Sequence, residues 1–540
     1  MPQYFGKLPT TEQPWTRLQS VQSVKELENH IYFNCGSQTL VINALAPNLI
    51  RVRMSPTGTL SHPRSWAVTQ EENWPEVALT VQKHPDSTEI ITDRMRVEVA
   101  HHPCRLTCFD PQDQPFAQDI EPGISWRQGA VANWKQIAAG EHFYGFGERT
   151  GLLDQRSQVR TNWTTDALDY DILTDEMYQA IPFFMALRPG LGYGIFFNTT
   201  FWSQFDLGAS QPGIWSMETR GGELDYYIIY GPEPAEIVAT YTQLTGRMPM
   251  PPKWALGYHQ CRWSYDSETE VRELAQTFRD RRIPCDVIHL DIDYMRGYRV
   301  FTWSPKRFPD PAQLIADLRE NGFKTVTIID PGVKYEPEGD YLVFDEGKDR
   351  DYFVRNPDGS IFHGYVWPDK AVFPDFLNPD VQQWWGDWHK TLTDIGVAGI
   401  WNDMNEPAIE NRPFGDDGHK IWFPVDALQG PPEDRATHLE VHNLYGHKMA
   451  KSCYQGLRQH RPNQRSFVLT RSGFAGIQRW SSVWMGDNQS LWEHLGCPCR
   501  CYVIWAYPAS PSSAVISADL PEMPPLNCLR DGCRWECSIP

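Results

Sequence analysis

Two carboxylates, Asp403 and Glu406, follow a short apolar run in the second half of the chain. The run, residues 397–400, has the composition of a buried strand, and Trp401 and Asn405 lie beside the acids. Acidic side chains at the carboxyl end of a buried strand are typical of the catalytic face of a barrel enzyme. On local pattern alone, the alternative is a capped junction between a strand and a loop.

Polar side chains also follow five other predicted strands, so the pattern at Asp403 recurs along the chain. The residues that end these strands are His259 with Arg262 and Trp263, Asp291 with Asp293, Asp330, Arg471, and Asp487. The carboxyl ends of the strands of a parallel barrel meet at one face. We therefore expect these side chains to line a single acidic and aromatic pocket.

Paired carboxylates without a metal-ligand pattern favour hydrolysis of a glycosidic bond. One acid is then ionised, as nucleophile or stabiliser, and the other is protonated. Tryptophan suits sugars, because sugar C–H faces pack on indole. The chain has no P-loop, no Gly-x-Gly-x-x-Gly after a strand and no Gly-x-Ser-x-Gly elbow. No cofactor and no metal site are expected, and the zinc-like group of His101, His102, Cys104 and Cys108 is interpreted as coincidence.

The first half of the chain is predicted to be an antiparallel β-sandwich, residues 28–247, after an N-terminal extension at residues 1–27. Its short β-branched and aromatic runs are separated by Gly, Pro, Asp and Asn, which is typical of such a fold. The runs are residues 39–43, 49–53, 96–100, 193–197 and 226–230. The Pro-rich segment at residues 248–252 marks a boundary.

Residues 248–495 alternate predicted strands and helices, which favours a partial (β/α)8-type TIM barrel over an open sheet. The predicted strands are residues 254–258, 285–290, 324–329, 396–401, 466–470 and 481–485. Helices are predicted to begin at the capping residues Ser267, Asp310 and Asn378. The tryptophans of the last of these helices, at helical spacing, are interpreted as core.

Bulk composition limits the classes of function. A chain of 540 residues is too long for one core, so two to four domains are expected. A net charge of -19 argues against nucleic acid or an anionic membrane as partner. No apolar stretch approaches the length of a membrane-spanning helix, and the first residues lack the apolar core of a signal peptide. A reduced, cytoplasmic protein is expected, with no prediction of oligomeric state.

The acidic strand ends belong to a set of motifs that occur in one order along the chain. These are Gln260-Cys-Arg-Trp-Ser-Tyr265, Asp291-Ile-Asp-Tyr-Met295, Ile329-Asp-Pro-Gly332, Val366-Trp-Pro368 with Phe373-Pro-Asp-Phe376, Trp401-Asn-Asp-Met-Asn-Glu-Pro407, Thr470-Arg-Ser472 and Trp484-Met-Gly-Asp-Asn488. Together they resemble glycoside hydrolase family 31, in the version typical of its α-glucosidases. Tyr144-Gly-Phe-Gly-Glu148 resembles the family's N-terminal sandwich, and the resemblance runs from about residue 28 to residue 495.

The resemblance implies a role for each matching residue. Asp403 is implied as the nucleophile that forms a covalent glycosyl-enzyme, and Asp487 as the general acid/base. Glu406 is placed with them as a residue that orients its neighbours rather than attacking. The implied substrate-binding residues are Asp293, Arg471, Asp330, Trp263, Trp367, Trp401, Met404, Trp484 and Asp166. Asp291 is interpreted as structural, and the alternative for Asp166 is an ordinary loop acid.

The resemblance thus implies a retaining α-glucosidase that hydrolyses terminal α-glucosidic bonds of oligosaccharides or α-glucosides by double displacement. An α-xylosidase or an α-glucosyltransferase of the same family is an alternative, and so is an inactive carbohydrate-binding remnant. The Asp-Met-Asn-Glu form of the motif favours the α-glucosidases over the α-xylosidases.

The resemblance ends after residue 495, where a tail rich in Cys, Pro and Ser begins at residue 496. Six of the twelve cysteines lie in this tail: Cys497, Cys499, Cys501, Cys528, Cys533 and Cys537. A shifted reading frame, a truncated relative with a diverged tail, and a zinc knot are the three interpretations. The last two barrel strands are missing from the predicted set. Two unpaired strand edges and an exposed side of the core predict an unstable or aggregation-prone product with little or no α-glucosidase activity.

Overall fold

The chain folds as an N-terminal β-sandwich followed by a parallel barrel. The computed structural model describes residues 14–60, 65–69, 74, 77–168, 170–413, 420–421, 423–489, 491–492 and 494, and the backbone of Ser513–Ala514. Within these ranges, no helix is long and apolar enough to cross a membrane. This order of a sandwich and then a barrel is the one that the sequence predicts.

The sandwich consists of three antiparallel sheets that enclose one core. Its strands are β1 (Thr16–Arg17), β2 (Ser23–Leu27), β3 (His30–Cys35), β4 (Gln38–Ala46), β5 (Leu49–Met54), β6 (Thr80–Lys83), β7 (Ser87–Ile91), β8 (Arg96–His101), β9 (Cys104–Phe109), β10 (Pro115–Phe116), β11 (Ser125–Arg127), β12 (Ala130–Gln136), β13 (His142–Gly145), β14 (Val159–Asn162), β16 (Phe183–Arg188), β17 (Leu191–Phe197), β18 (Ser203–Asp206), β19 (Ile214–Thr219) and β20 (Leu224–Tyr230). A further short strand, β15 (Gln179–Ala180), lies outside these sheets and pairs in parallel with Gly473–Phe474 of the barrel half. The sheet orders are β13-β16-β17-β20-β5-β4-β3-β2, β1-β11-β12-β19-β18-β14 and β10-β9-β8-β7-β6. Because β1 and β2 are paired into these sheets, the sandwich begins before the predicted boundary at residue 28.

Strands β17 and β20 are buried along their whole length, unlike the alternating strands of a sheet with one wet face. On β17, Tyr193 and Ile195 face the sandwich core, whereas Phe196 belongs to the core shared with the barrel. Successive side chains of a strand point to opposite faces, so this sheet is covered on both sides. The sandwich is thereby packed directly against the barrel, and α1 (Pro234–Thr245) lies between them.

The barrel and its insertions follow α1. Their elements are β21 (His259–Gln260), α2 (Glu268–Asp280), β22 (Val287–Leu290), α3 (Pro311–Glu320), β23 (Lys324–Ile329), β24 (Val333–Lys334), α4 (Leu342–Asp349), β25 (Gly364–Val366), β26 (Asp369–Val372), α5 (Pro379–Trp388), α6 (Lys390–Thr393), β27 (Gly399–Asn402), β28 (Ile409–Glu410), β29 (Lys420–Ile421), β30 (Leu428–Gln429), β31 (Ala436–Thr437), α7 (His438–Val441), α8 (Tyr445–His460), β32 (Val468–Thr470), β33 (Gly473–Phe474), β34 (Ser482–Trp484) and β35 (Ser513–Ala514). Short 3₁₀ helices span Lys253–Leu256, Ile292–Tyr294, Pro432–Asp434, His442–Leu444 and Ile477–Arg479. The strands of the barrel pair in parallel in the order β21-β22-β23-β27-β32-β34-β35.

Local sequence signals place the barrel helices correctly. The side chain of Ser267 accepts a hydrogen bond from the Glu270 amide, and Asp310 accepts one from Gln313 at 3.0 Å. Asn378 caps α5 in the same way. Each cap satisfies an amide that the first turn of a helix leaves without a partner. The tryptophans of α5 lie in the core, with Trp385 fully buried.

Two strand predictions need correction. Residues 254–258 are not a strand, because the amides of Ala255 and Gly257 bond to Pro252 and Trp254 and wind Lys253–Leu256 into a 3₁₀ turn. The first barrel strand instead starts at His259. The sequence also predicts six strands, whereas the two residues of β35 add a seventh beside β34. No pairing joins β35 to β21, so the barrel is not closed within the part of the chain that the structure describes. The tail cysteines lie outside the described residues.

Candidate active site

A cavity of about 270 Å³ opens at the carboxyl ends of the barrel strands. Asp291 follows β22, Asp403 follows β27, Arg471 follows β32, and Asp487 lies just beyond β34. The sandwich contributes Asp166 and Leu168, and the hairpin of β25 and β26 contributes Tyr365, Val366 and Trp367. The position and size are those of a small-molecule site in a barrel enzyme.

Arg471 is the centre of the cavity's charge network. Its Nε lies 3.0 Å from Oδ1 of Asp403, and its Nη1 lies 3.1 Å from Oδ2 of Asp487. Its Nη2 lies 3.7 Å from Oδ1 of Asp166 and donates to the sulfur of Met404 at 3.3 Å. One planar guanidinium therefore brings carboxylates from two barrel strands and from the sandwich to a single point.

Glu406 binds the Arg471 guanidinium from outside the cavity wall. Arg471 donates from Nε to Oε1 of Glu406 at 2.9 Å and from Nη2 to Oε2 at 2.8 Å. The Glu406 carboxylate is fully buried, and it is absent from the cavity wall. Its contacts are those of a residue that positions Arg471 rather than one that meets a ligand.

Hydrogen bonds of the Asn405 side chain join the loop after β27 to the loop after β32. Asn405 donates from Nδ2 to the Thr470 hydroxyl at 3.0 Å and accepts the Ser472 amide at 3.0 Å. Met404 has a left-handed φ of 54°, and its amide donates to Oδ1 of Asp403 at 2.7 Å. A left-handed backbone is unfavourable for a side chain such as methionine, and surrounding contacts must hold it. The turn thereby fixes the direction of the Asp403 carboxylate.

The carboxylates of the cluster hold protons more tightly than isolated acids do. Burial raises the pKa of Asp403 well above its usual range; Arg471 opposes the shift, and Asp487, Asp330 and Glu406 add to it. Burial raises the pKa of Asp330 to about 7, again against Arg471. Burial also raises the pKa of Glu406, with the same opposing charge. Several acids that share one guanidinium cannot all ionise at low cost, which is the condition for acid–base chemistry near neutral pH.

A clasp of buried polar groups attaches the sandwich loop to the barrel. Asn443 accepts the Thr164 amide at 2.8 Å and donates to the carbonyls of Asn162 at 3.3 Å and Thr200 at 3.1 Å. His442 contacts the Thr164 carbonyl at 2.8 Å through its Nε2 and stacks on Trp163. Residues 162–164 lie just before Asp166 in the sequence. The contacts with His442 and Asn443, called here the Asn443 clasp, therefore determine where the Asp166 carboxylate enters the cavity.

Lys420 contacts Asp166 from the opposite side. Its Nζ lies 2.6 Å from Oδ2 of Asp166, and it donates to the Asp166 carbonyl at 3.3 Å. Asp166 thus lies between two cations, Lys420 on β29 and Arg471 on the barrel. This pairing gives the sandwich loop a fixed place in the wall of the cavity.

Family comparisons match both halves of the chain. The N-terminal galactose mutarotase-like domain of glycosyl hydrolase 31 matches residues 39–206, and the TIM-barrel domain of glycosyl hydrolases family 31 matches residues 248–500. The chain belongs to glycoside hydrolase family 31. The resemblance that the sequence motifs indicated is therefore confirmed.

Relatives within family 31 are longer than this chain. Alpha-glucosidase 2 of Bacillus thermoamyloliquefaciens is 42% identical over 469 residues, covering 86% of this chain and 58% of the relative. The alpha-glucosidase of Saccharolobus solfataricus is 34% identical over 409 residues, covering 72% and 58%. A solved structure, the Flavobacterium johnsoniae dextranase FjDex31A in complex with isomaltotriose, superposes with a TM-score of 0.83 at 28% identity, covering 93% of this chain and 62% of that chain. The chain thus spans about three fifths of these relatives.

The structure brings most of the predicted family 31 site residues to one cavity. Lining it are Asp166, Trp263, Trp367, Trp401, Asp403, Met404, Arg471, Trp484 and Asp487. Asp330 and Glu406 lie behind the wall, both buried. Asp293 lies off the wall, where its carboxylate is paired with Arg307. Asp291, interpreted from sequence as structural, is on the wall instead.

Several wall residues were missed by sequence reasoning. They are Leu168, Tyr365, Glu410, Lys420, Asn488 and Gln489. Tyr365 pairs with Glu410 across β25 and β28. Both residues belong to an inserted sheet, which has the strand order β24-β26-β25-β28-β29. The position of Tyr365, directly before the Val366-Trp-Pro motif, was the one available signal.

Proposed function

We propose that the chain is built for retaining hydrolysis of terminal α-glucosidic bonds. The observation that carries the proposal is the convergence of Asp403 and Asp487 on the two sides of the Arg471 guanidinium, inside one cavity at the barrel's catalytic face. Two carboxyls that flank a bound sugar are the requirement for this reaction. The names of the relatives, α-glucosidases and a dextranase, support glucose in an α linkage as the sugar.

In this proposal Asp403 is the nucleophile. Its side chain is only 12% exposed and is aimed by the Met404 amide and by Arg471. It attacks the anomeric carbon of the sugar, the bond to the leaving oxygen breaks, and a covalent glycosyl-enzyme forms. Burial raises the pKa of Asp403, and the positive guanidinium of Arg471 is the charge that opposes this shift and favours the ionised form that the attack needs.

Asp487 is the general acid and then the general base. Its side chain is 38% exposed, so it lies nearer the opening, on the side from which a leaving group departs and water enters. Asp487 donates its proton to the leaving oxygen in the first step. In the second step it removes a proton from water, which attacks the anomeric carbon and releases Asp403.

The walls of the cavity suit a sugar ring. The Trp263 and Trp367 rings lie 5.5 Å apart at an interplanar angle of 52°, and Trp263 is about half exposed at the rim. Trp401 and Trp484 are buried deeper, with ring centroids 5.6 Å apart. Indole faces pack on sugar C–H groups while the carboxylates of Asp166 and Asp291 accept hydroxyl hydrogen bonds. An oligosaccharide or an α-glucoside is the substrate class that this supports.

The test is hydrolysis of p-nitrophenyl α-glucoside by the full 540-residue chain. Because β35 pairs with an edge that the sequence leaves open, we expect measurable turnover in place of the inactivity predicted from the missing strands. The first anomer seen by NMR should be α-glucose. Asp403→Ala and Asp487→Ala should each lower kcat/KM by about 10³-fold or more, and Asp487→Ala should recover most on a substrate with a better leaving group. The exposed variant Lys306→Met is the matched control. Absence of turnover, or β-glucose as the first product, contradicts the proposal.

A further inference from the structure

A second cavity, of about 290 Å³, lies at the opposite end of the barrel from the candidate active site. Its wall includes the start of β23 at Lys324 and Thr325, the turn before β27 at Gly396 and Ala398, and Trp254 ahead of β21. In barrels this end is ordinarily filled with packed side chains. Here it leaves a space as large as the cavity in which a sugar ring is proposed to bind.

Positive charge surrounds this cavity in a strongly acidic chain. Arg319, Lys324, Arg461 and Arg465 lie on its wall, against a single acid, Asp394. That acid is already paired with Lys390 across one turn of helix. The cavity is therefore a local concentration of cations in a protein whose net charge is -19.

None of these four cations forms an ion pair with a described residue. Arg319 and Lys324 form no ion pair there, whereas Arg461 donates to the Val397 carbonyl at 2.6 Å and to that of Thr393. Burial lowers the pKa of Arg461; the charge of Asp394 opposes this shift and that of Arg319 adds to it. An anion between these side chains would relieve that repulsion.

We propose that this cavity binds a phosphate group, either as free phosphate or as part of a phosphorylated monosaccharide. The guanidinium of Arg319 and the ammonium of Lys324 neutralise the phosphate and donate to its oxygens, and Arg461 and Arg465 lie on the same wall. The Trp254 indole offers an apolar face on which a sugar ring packs. The site is independent of the proposed hydrolysis, because it lies at the other end of the strands.

Titration calorimetry of the full chain with glucose 6-phosphate, inorganic phosphate and glucose tests the proposal. We expect saturable binding of at least one phosphate compound, with affinity reduced tenfold or more in Arg319→Gln and Lys324→Met. Lys25→Met on the sandwich is the matched control. Tighter binding of glucose 6-phosphate identifies a sugar phosphate as the ligand, and equal affinities identify free phosphate.

Binding at the active-site cavity must be separated from binding here. Asp403→Asn should therefore leave the phosphate affinity unchanged. The proposal is overturned if neither phosphate compound binds saturably, or if the Arg319 and Lys324 variants bind like the wild type. It is equally overturned if Asp403→Asn removes the binding and the Arg319 variant does not.

Discussion

Arg471 donates two parallel hydrogen bonds, of 2.9 and 2.8 Å, to the carboxylate of Glu406, and both side chains are almost completely buried. This two-point contact fixes the plane of the guanidinium. Its Nη1 is then directed to Asp487, while its Nε edge is shared with Asp403. A carboxylate that no substrate can reach thus determines the geometry of the two that are proposed to react.

We predict that Glu406→Gln impairs both stability and activity. The amide oxygen retains one hydrogen bond to Arg471, but the amide NH₂ faces a guanidinium donor, and the buried guanidinium loses the most buried of its carboxylate partners. Breaking a buried ion pair costs about 3–5 kcal/mol. The Tm should fall by several degrees, and kcat on an aryl α-glucoside should fall by at least tenfold.

A positioning role is separated from a purely structural one by the pH profile. If Glu406 aims Arg471 at Asp403 and Asp487, the pH dependence of kcat should shift in Glu406→Gln. Arg307→Gln, which breaks an ion pair away from the cavity, should leave that profile in place. An unchanged profile in Glu406→Gln would argue that the residue supports the fold alone.

A second prediction concerns the two acids after β22. Asp291 lies on the cavity wall, whereas the Asp293 carboxylate is paired with Arg307. Asp291→Asn should therefore raise KM for an α-glucoside by about tenfold or more, since a carboxylate loses its hydrogen bonds to sugar hydroxyls. Asp293→Asn should change KM less than threefold. Steady-state kinetics of the two variants decide the matter, and the reverse ranking would restore the sequence-based assignment.

The positions of Asp291 and Asp293 show where sequence reasoning stops. Ser267, Asp310 and Asn378 were found as helix caps because a cap depends on residues three or four positions apart. The direction of the two acids depends instead on the 3₁₀ turn Ile292–Tyr294, which Asp291 caps through its own side chain. Such a turn has no hydrophobic period that could be read from the chain.

The inserted sheet was missed for a related reason. Strands β24, β25, β26, β28 and β29 are two to four residues long, and apart from the β25–β26 hairpin they pair across many intervening residues. Runs this short show no alternation, so no pattern predicts their register. The wall residues that they carry, Tyr365, Glu410 and Lys420, were consequently missed. The strand-end residues Asp403, Arg471 and Asp487 were found because parallel strands must end at one face.

A third prediction concerns stability and pH. Because burial raises the pKa of Asp330 from 3.8 to about 7, the folded state keeps a proton that the unfolded chain releases. The unfolded state therefore binds fewer protons between about pH 4 and pH 7, and this residue makes stability fall as pH rises through that window. Below pH 4 and above pH 7 its contribution is constant.

The variant Asp330→Asn removes this titration. Between pH 5 and pH 8 the wild type should lose on the order of 2–3 kcal/mol more than the variant does. Thermal unfolding at the two pH values measures the difference, with the exposed Asp358→Asn as control. The same loss in the wild type and in Asp330→Asn would show that Asp330 is ionised in the folded protein at both pH values.

The last prediction concerns Lys420, which holds Asp166 from the side opposite Arg471. Its ion pair is partly exposed, since the Lys420 side chain is 41% accessible, so its loss should change stability by less than about 1 kcal/mol. In Lys420→Met the Asp166 carboxylate keeps Arg471 as its cation and moves towards it, away from its place in the wall. KM for an α-glucoside should rise three- to tenfold with a smaller change in kcat, and Lys420→Arg should restore most of the affinity.

Lys306→Met, which removes an exposed lysine without an ion pair among the described residues, controls for the loss of charge. Equal KM values for Lys420→Met and Lys306→Met would show that Arg471 and the Asn443 clasp place Asp166 without help from the lysine.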